Sequence, residues 1–203
     1  MDGDESYNVT VAVDDASSDD AFDPLADQNV AVTNEDDDTA SFTASVISGN
    51  TNETGTNATF TVVLDRQPLT DVVFDVTSGD TGEGTVDKAT LTFTNANWNV
   101  AQTITVTGID DVTVDGDESY NVTVAVDDAS SDDAFDSLAD QNVMVTNEDD
   151  DTASFTASVI SGNTNETGTN ATFTVVLDRQ PLTDVVFDVT SGDTGEGLSL
   201  IHI

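Results

Sequence analysis

Apolar and polar residues alternate in short runs along most of the chain, and Gly, Asn, Asp and Pro separate the runs. Alternation with a period of two is typical of β-strands that bury one face. Residues 58–65 place Phe60, Val62 and Leu64 on one face, with threonines and Val63 on the other. No stretch shows the period of an amphipathic helix. The pattern therefore predicts an all-β protein.

Seven such strands, A to G, are predicted between residues 39 and 151. Their ranges are 40–47, 58–65, 72–77, 89–94, 101–107, 118–126 and 142–146. Seven short strands in a segment of this length predict a two-sheet, immunoglobulin-like β-sandwich. We expect its core to bury Phe60, Phe74, Phe93 and Tyr120.

A long internal repeat sets the predicted domain boundaries. Residues 2–84 recur as 115–197, an offset of 113, and differ only where Ser137 replaces Pro24 and Met144 replaces Ala31. A period of this length matches a whole domain rather than a solenoid repeat. We expect a complete copy at 39–151, strands F and G of a preceding copy at 1–38, and strands A to C of a following copy at 152–197.

Both ends of the chain interrupt this repeat. Met1 stands where the next copy has Val114, and the repeat breaks off after Gly197. The last six residues, 198–203, resemble a translated sequencing adapter, and they contain the single histidine, His202. We therefore expect 198–203 to be an adapter-derived tail of a fragment from a longer protein, with no part in the fold.

The charge of the chain is extreme, with 41 acidic residues against three basic ones and a formal net charge of −38. Such a chain cannot displace counterions from nucleic acid, and an anionic membrane surface repels it. No apolar run approaches the length of a membrane span. Dense negative charge opposes compact folding unless cations offset it, so the expected partner is a cation.

The sequence also argues against an enzyme. There is no cysteine, and the single histidine lies in the adapter-like tail. Nucleophilic catalysis therefore lacks its usual base and its usual thiol. A carboxylate pair of the glycosidase type would need a cleft lined by apolar and aromatic residues, which the acidic loops do not supply.

Strand alternation assigns each loop to one end of the sandwich. Loops A–B, C–D, E–F and the segment after strand G share one end, and loops B–C, D–E and F–G share the other. The first end collects acids from four separate segments. They are Glu53 in loop A–B, Asp80 and Glu83 in loop C–D, Asp110, Asp111, Asp115, Asp117 and Glu118 in or beside loop E–F, and Asp149, Asp150 and Asp151 after strand G.

Carboxylates gathered without a basic partner repel one another and raise one another's pKa. Calcium removes that repulsion and accepts about six to eight oxygen ligands in loose geometry, which suits loops better than the strict octahedron of magnesium. The alternative is that acidic loops only keep the protein soluble. That alternative explains most single acids but not their convergence at one end, so we expect a calcium site there.

The motif from Gly108-Ile109-Asp110-Asp111 to Asp115-Gly116-Asp117-Glu118-Ser119-Tyr120, together with the acidic run 148–151, resembles the Calx-beta family. The segment from Leu91 to Gly108 resembles the bacterial repeats of that family. The resemblance implies a seven-stranded sandwich that binds calcium at the end described above. It implies ligands at Glu53, Asp111, the carbonyl of Thr113, Asp115, Glu118 and Asp149–Asp151, and it leaves the choice between Asp80 and Glu83 open.

The resemblance implies a calcium-binding structural or adhesive repeat of a large microbial surface protein. In such an array calcium would stiffen a stalk where repeats meet. The expected partners are calcium ions, neighbouring repeats and a surface ligand of a host or matrix, and the expected location is outside the cell. Two alternatives stay open: a non-catalytic accessory module of a secreted hydrolase, and an acidic surface-layer module of a halophile.

Overall fold

The computed structural model describes residues 3–196, so the prediction about the tail at 198–203 lies outside the described residues. Apart from one 3₁₀ turn at Asp128–Ser130, the regular structure of this range is β-strand. The strands β1 to β15 are, in order, Glu5–Val11, Gln28–Asn34, Phe42–Ala44, Thr51–Asn52, Asn57–Leu64, Val72–Ser78, Gly84–Val86, Thr90–Phe93, Gln102–Gly108, Thr113–Val114, Glu118–Val126, Gln141–Glu148, Phe155–Ala157, Val175–Leu177 and Gln180–Pro181.

Two sheets form the sandwich of the central segment. One has the strand order β4-β12-β11-β6-β8, and the other has the order β3-β5-β9-β7. All neighbours in these sheets are antiparallel except β12 and β4, which are parallel. The predicted all-β, immunoglobulin-like sandwich is confirmed, and strands A to G correspond to β3, β5, β6, β8, β9, β11 and β12.

The core lies between the inner faces of the two sheets. Phe60, Phe74 and Phe93 are at most 1% exposed and Tyr120 is 8% exposed, so all four predicted core aromatics are buried. The Phe74 ring lies 4.6 Å from the Phe42 ring and 5.9 Å from the Phe93 ring, measured between centroids. Offset and edge-on rings at such separations pack favourably, so aromatic contacts join the two sheets.

Strand A was predicted as a single strand over residues 40–47, and the structure differs. Only β3 is strand there, and after residues 45–50 the chain joins the opposite sheet as β4. A second short strand, β7, begins where loop C–D was predicted to end. Strands β4 and β7 are edge strands of two and three residues, which is too short to show alternation of apolar and polar residues. The strand β4 matters for the site because it carries loop A–B to the exit of β12.

The flanking segments are paired but expose their apolar faces. Strands β1 and β2 form an antiparallel hairpin, and β13 pairs with β14. Strand β10 of loop E–F pairs in parallel with β15 of the following segment. No helix in residues 3–196 is both long and apolar enough to cross a membrane. The division of the chain at residues 38 and 151 stays a prediction.

Candidate metal centre

Strand β4 brings loop A–B to the acidic run that follows β12. Thr51 and Asn52 pair in parallel with Asn147 and Glu148, and the next amide, Glu53 N, donates to Glu148 O at 3.2 Å. Glu53 is only 6% exposed. Because charged side chains are rarely buried without a partner, this glutamate marks the centre of the candidate site.

Loop E–F, residues 109–117, folds onto the same end through its own hydrogen bonds. Asp111 Oδ1 accepts from Thr113 N at 2.6 Å. Gly116 has a φ of +81°, which only glycine adopts readily, and its N–H donates to Asp149 Oδ2 at 2.8 Å. These contacts turn the carboxylates of loop E–F towards the acidic run.

The acidic run after β12 connects the loops. The amide of Asp149 donates to Asp117 Oδ1 at 3.2 Å, and the amide of Asp150 donates to Glu53 Oε2 at 3.3 Å. Asp151 N donates to Asp149 Oδ1 at 2.7 Å. Backbone amides of the run therefore hold carboxylates from two loops against it.

Three groups of carboxylates have oxygens within 4.8 Å of one another. Two oxygens bound to one calcium ion at about 2.3–2.6 Å lie at most about 5 Å apart, so each group has spacing that one ion can bridge. Two of the groups share Glu53. The groups are Glu53, Asp149 and Asp151; Glu53, Asp110 and Asp150; and Glu83, Asp111 and Asp115.

Burial and neighbouring charge disfavour the ionised form of Glu53. Burial has the largest effect, and Asp149, Asp111 and Asp115 add to it, while the Asp150 amide acts against them. Together they raise the pKa of Glu53 to about 7, from an ordinary value of 4.5. Without a cation, this carboxylate is partly protonated near neutral pH.

The pKa values of two more carboxylates are also raised. Burial, then Asp115, Asp80 and Asp111, raises the pKa of Glu83, although the Asn147 amide opposes the shift. Burial and then Asp111 raise the pKa of Asp115. Three acids from three loops therefore have raised pKa values, first because they are buried and second because neighbouring carboxylates disfavour another negative charge.

The positive charge beside the carboxylate groups comes from the segment that follows residue 151. The three basic side chains pair with acids: Arg66 with Asp38, Lys88 with Asp87, and Arg179 with Asp151. Arg179 occupies Asp151 Oδ1, while Asp151 Oδ2 is buried without a hydrogen-bond partner. An unpartnered buried carboxylate oxygen beside Glu53 fits a hard cation with oxygen ligands.

Two polar residues that sequence reasoning did not select hold the site together. Asn147 is 1% exposed, and its Nδ2 donates to Ile109 O at 3.1 Å and to Glu83 Oε2 at 3.3 Å. Its Oδ1 accepts from the Thr51 hydroxyl at 2.9 Å. Asn147 continues the inward positions Val143 and Val145, so a polar residue at an inward position was the available signal.

Gly108 was also missed, and its role is steric. A Cβ at this position would lie 2.6 Å from Asn52 O and would also meet Asn147 Oδ1. Only glycine lets β9 pass this close to loop A–B. The close approach helps to bring loops A–B and E–F together.

Among the described residues, two predicted acidic ligands, Asp80 and Glu118, belong to none of the carboxylate groups, and the predicted Thr113 carbonyl is not a carboxylate. Asp80 Oδ1 accepts from Gly82 N at 2.8 Å, within its own turn. Glu118 is exposed at the start of β11, and Thr113 lies on β10 with its amide bound to Asp111. In loop C–D the grouped acid is Glu83. The role of each residue in metal binding stays a prediction.

No protein-family model matches the chain, and no curated protein sequence matches it. Among solved structures, the chain is similar to SSP-19, an MSP-domain protein like family member in Caenorhabditis elegans. The two are 14% identical, the TM-score is 0.33, and the alignment covers 51% of this chain and 97% of that one.

Proposed function

We propose that this chain is a calcium-binding structural or adhesive repeat module of a large microbial protein that acts outside the cell. The observation that carries the proposal is the buried Glu53, placed among carboxylates from loop E–F and from the acidic run after β12. The resemblance to the Calx-beta family supports the same function. No reaction is part of the proposal.

Calcium suits this site better than other common cations. The candidate ligands are all oxygens, which favours calcium, magnesium or manganese over zinc and copper. They lie on loops and on the exit of a strand, and calcium tolerates the irregular geometry that such positions give. Extracellular modules bind calcium with a Kd of about 10⁻⁴–10⁻³ M, so high affinity is not required outside cells.

The ion would act where one repeat meets the next. Asp151 ends the predicted complete copy and pairs with Arg179 of the following one. Gln180 N of that following copy donates to Val112 O at 2.8 Å, which joins β15 to loop E–F. Calcium that ties loops A–B and E–F to the acidic run would hold this junction in one arrangement and stiffen the array.

The proposal predicts a calcium-dependent gain in stability for the 203-residue chain. At calcium about 100 times its Kd, linkage adds about 2.7 kcal/mol, or roughly 10 °C in melting temperature for a domain of this size. Magnesium at the same concentration should give a smaller rise. The amide of Gln180 should also exchange with solvent more slowly when calcium is present.

A matched pair of double variants tests the site. Asp111→Asn with Asp150→Asn should abolish both calcium responses and leave the calcium-free fold intact. Asp37→Asn with Asp128→Asn removes the same charge elsewhere and should keep both responses. Equal responses in the two variants would overturn the site. A chain that is stabilised by any concentrated salt but not by calcium would instead support the halophile alternative.

A further inference from the structure

Loop E–F contains an aspartate followed by a glycine, Asp115 and Gly116. In such a pair the backbone amide of the glycine can attack the side chain of the aspartate, because glycine has no Cβ to hinder the approach and its backbone rotates freely. In this sequence an aspartate precedes a glycine only at 2–3 and 115–116, and no asparagine precedes one. The repeat therefore places its Asp–Gly pair inside the candidate metal centre.

The structure leaves space around the backbone of Gly116. The residue is exposed, its φ is +81°, and a Cβ built on it would have no heavy atom within 4 Å apart from its chain neighbours. The site's other glycine differs, because a Cβ on Gly108 would lie 2.6 Å from Asn52 O. The backbone at Gly116 can therefore rotate without first moving a packed neighbour.

One hydrogen bond holds the group that would attack. The amide of Gly116 donates to Asp149 Oδ2 at 2.8 Å. The Asp149 side chain is fixed in turn, because its Oδ1 accepts from Asp151 N at 2.7 Å. To react, the Gly116 nitrogen must release its proton and turn towards the carboxyl group of Asp115. The bond to Asp149 therefore opposes the reaction.

The same hydrogen bond occurs 113 residues earlier. There the amide of Gly3, whose φ is +73°, donates to Asp36 Oδ2 at 2.9 Å. The amide of Asp36 donates to Asp4 Oδ1 at 2.9 Å, as the amide of Asp149 does to Asp117. Both copies of the repeat thus hold the glycine amide of the Asp–Gly pair in the same way.

We propose that Asp115 is a site of spontaneous isoaspartate formation, and that the Asp149 carboxylate slows the reaction by holding the attacking amide. The Gly116 nitrogen bonds to the side-chain carboxyl carbon of Asp115. One carboxyl oxygen leaves as water, with the amide proton and the carboxyl proton. A second water then opens the cyclic imide. Opening at the main-chain carbonyl gives isoaspartate, and opening at the side-chain carbonyl restores aspartate.

Isoaspartate at this position would alter the candidate metal centre permanently. It adds one carbon to the backbone before Gly116 and shortens the arm that carries the carboxylate. The carboxylate would then leave the group that Asp115 forms with Glu83 and Asp111. The next step rests on the proposed function: a bound calcium ion would hold Asp115 and Asp149 in place and slow the reaction. A repeat that loses its ion would therefore lose its site with age.

Ageing of the 203-residue chain in warm neutral buffer with a chelator tests the proposal. Trypsin separates the two Asp–Gly pairs, because Arg66 and Lys88 lie between them, and mass spectrometry of peptide 89–179 locates isoaspartate. Isoaspartate should accumulate at Asp115. Asp149→Ala should speed the accumulation several-fold, whereas Asp150→Ala removes the next acid of the same run and should not. Asp115→Glu should abolish it, since closure would need a larger ring.

Ageing in urea separates the hydrogen bond from other effects of the substitutions. With the chain unfolded, the unmodified chain, Asp149→Ala and Asp150→Ala should react at the same rate. Equal rates for the two variants in the folded state, or no isoaspartate at Asp115 in folded Asp149→Ala, would overturn the proposal. Calcium should slow the reaction in the unmodified chain. If calcium has no effect while Asp149→Ala still speeds the reaction, the isoaspartate site stands and only the calcium proposal is contradicted.

Discussion

Arg179 donates through Nε to Oδ1 of Asp151, whose side chain is only 4% exposed. The same pair occurs 113 residues earlier as Arg66 and Asp38, 3.1 Å apart, with both side chains about half exposed. The ion pair therefore occurs in both copies of the repeat. The aspartate is buried only at position 151, because the loops that surround it are present only there. Arg179, whose own side chain is 46% exposed, is the one cation that contacts the candidate metal centre in the described residues.

Arg179→Gln should strengthen calcium binding a few-fold. The guanidinium occupies one oxygen of Asp151 and repels a divalent ion nearby, so its removal frees a ligand and lowers the local positive charge. Calorimetric titration of the 203-residue chain measures the change. Arg66→Gln is the matched control and should leave the calcium Kd unaltered. Weaker binding in Arg179→Gln would show that the arginine organises the site rather than competes for it.

The stability of the calcium-free chain should fall as the pH rises through neutrality. The pKa of Glu53 is about 7 in the folded protein and 4.5 ordinarily, so the folded state binds this proton more tightly than the unfolded state. The stability from this linkage is fully present below the ordinary pKa and is lost as pH rises through the folded value. The melting temperature should drop by several degrees between about pH 5 and about pH 8.

Glu53→Gln should flatten this dependence, because an amide does not titrate. Glu166→Gln, the same change in the following segment, leaves Glu53 in place and should retain it. Calcium should also flatten the dependence in the unmodified chain, because the ion favours the ionised carboxylate. A drop of the same size in Glu53→Gln would assign the effect to other acids, of which Glu83 and Asp115 shift in the same direction.

Alternation along the sequence was enough to place the long strands and their inward faces. Strands β5, β6 and β11 bury the predicted side chains because each spans at least seven residues with a clear period of two. The alternating direction of successive strands then predicted that loops A–B, C–D and E–F share one end of the sandwich. The short β4 and β7 were missed, because their pairing depends on neighbouring strands rather than on their own pattern.

The details of the candidate centre depend on contacts that no local pattern reports. Asn147 looks like a polar residue at a strand end, yet it is buried and bonded to loops A–B, C–D and E–F. Asp80 and Glu83 are three residues apart, and only the turn geometry sets Glu83 beside Asp111. Long-range packing, rather than residue type, decides which acids meet.

At the opposite end of the sandwich, Asp132 should be a stabilising acid. Burial alone would raise its pKa, but the amides of Thr70, Ala134 and Leu69 donate to its carboxylate and hold the pKa below its usual value. This contribution is present above the ordinary pKa of an aspartate and is lost as pH falls through the folded value. At neutral pH, the ionised carboxylate therefore holds loop F–G against the B–C turn through these hydrogen bonds.

Asp132→Asn should cost about 1–3 kcal/mol of unfolding free energy at neutral pH, since hydrogen bonds to a charged acceptor are among the stronger ones. The cost should be smaller at acidic pH than at neutral pH, because protonation of the native carboxylate removes the charge that the amides stabilise. Urea unfolding at the two pH values measures it. Asp19→Asn, the equivalent residue of the first segment, is exposed and serves as the control. A cost that does not depend on pH would assign the effect to packing.

The last prediction uses the repeat to locate the folding unit. Phe60 is 1% exposed, whereas its identical counterpart Phe173 is 46% exposed. Phe60→Ala should destabilise the chain by about 3–5 kcal/mol, because truncation of a buried phenylalanine leaves a cavity. Phe173→Ala should change the unfolding free energy by less than about 0.5 kcal/mol, as surface substitutions do.

The two variants and the unmodified chain are compared under identical conditions. Limited proteolysis under the same conditions should leave a product close to residues 39–151, because cleavage needs backbone that opens easily. Cleavage inside that range, or equal costs for the two substitutions, would contradict the predicted domain boundaries. The core would then extend across the junction at residue 151, and the exposed strands of the following segment would belong to the same cooperative unit.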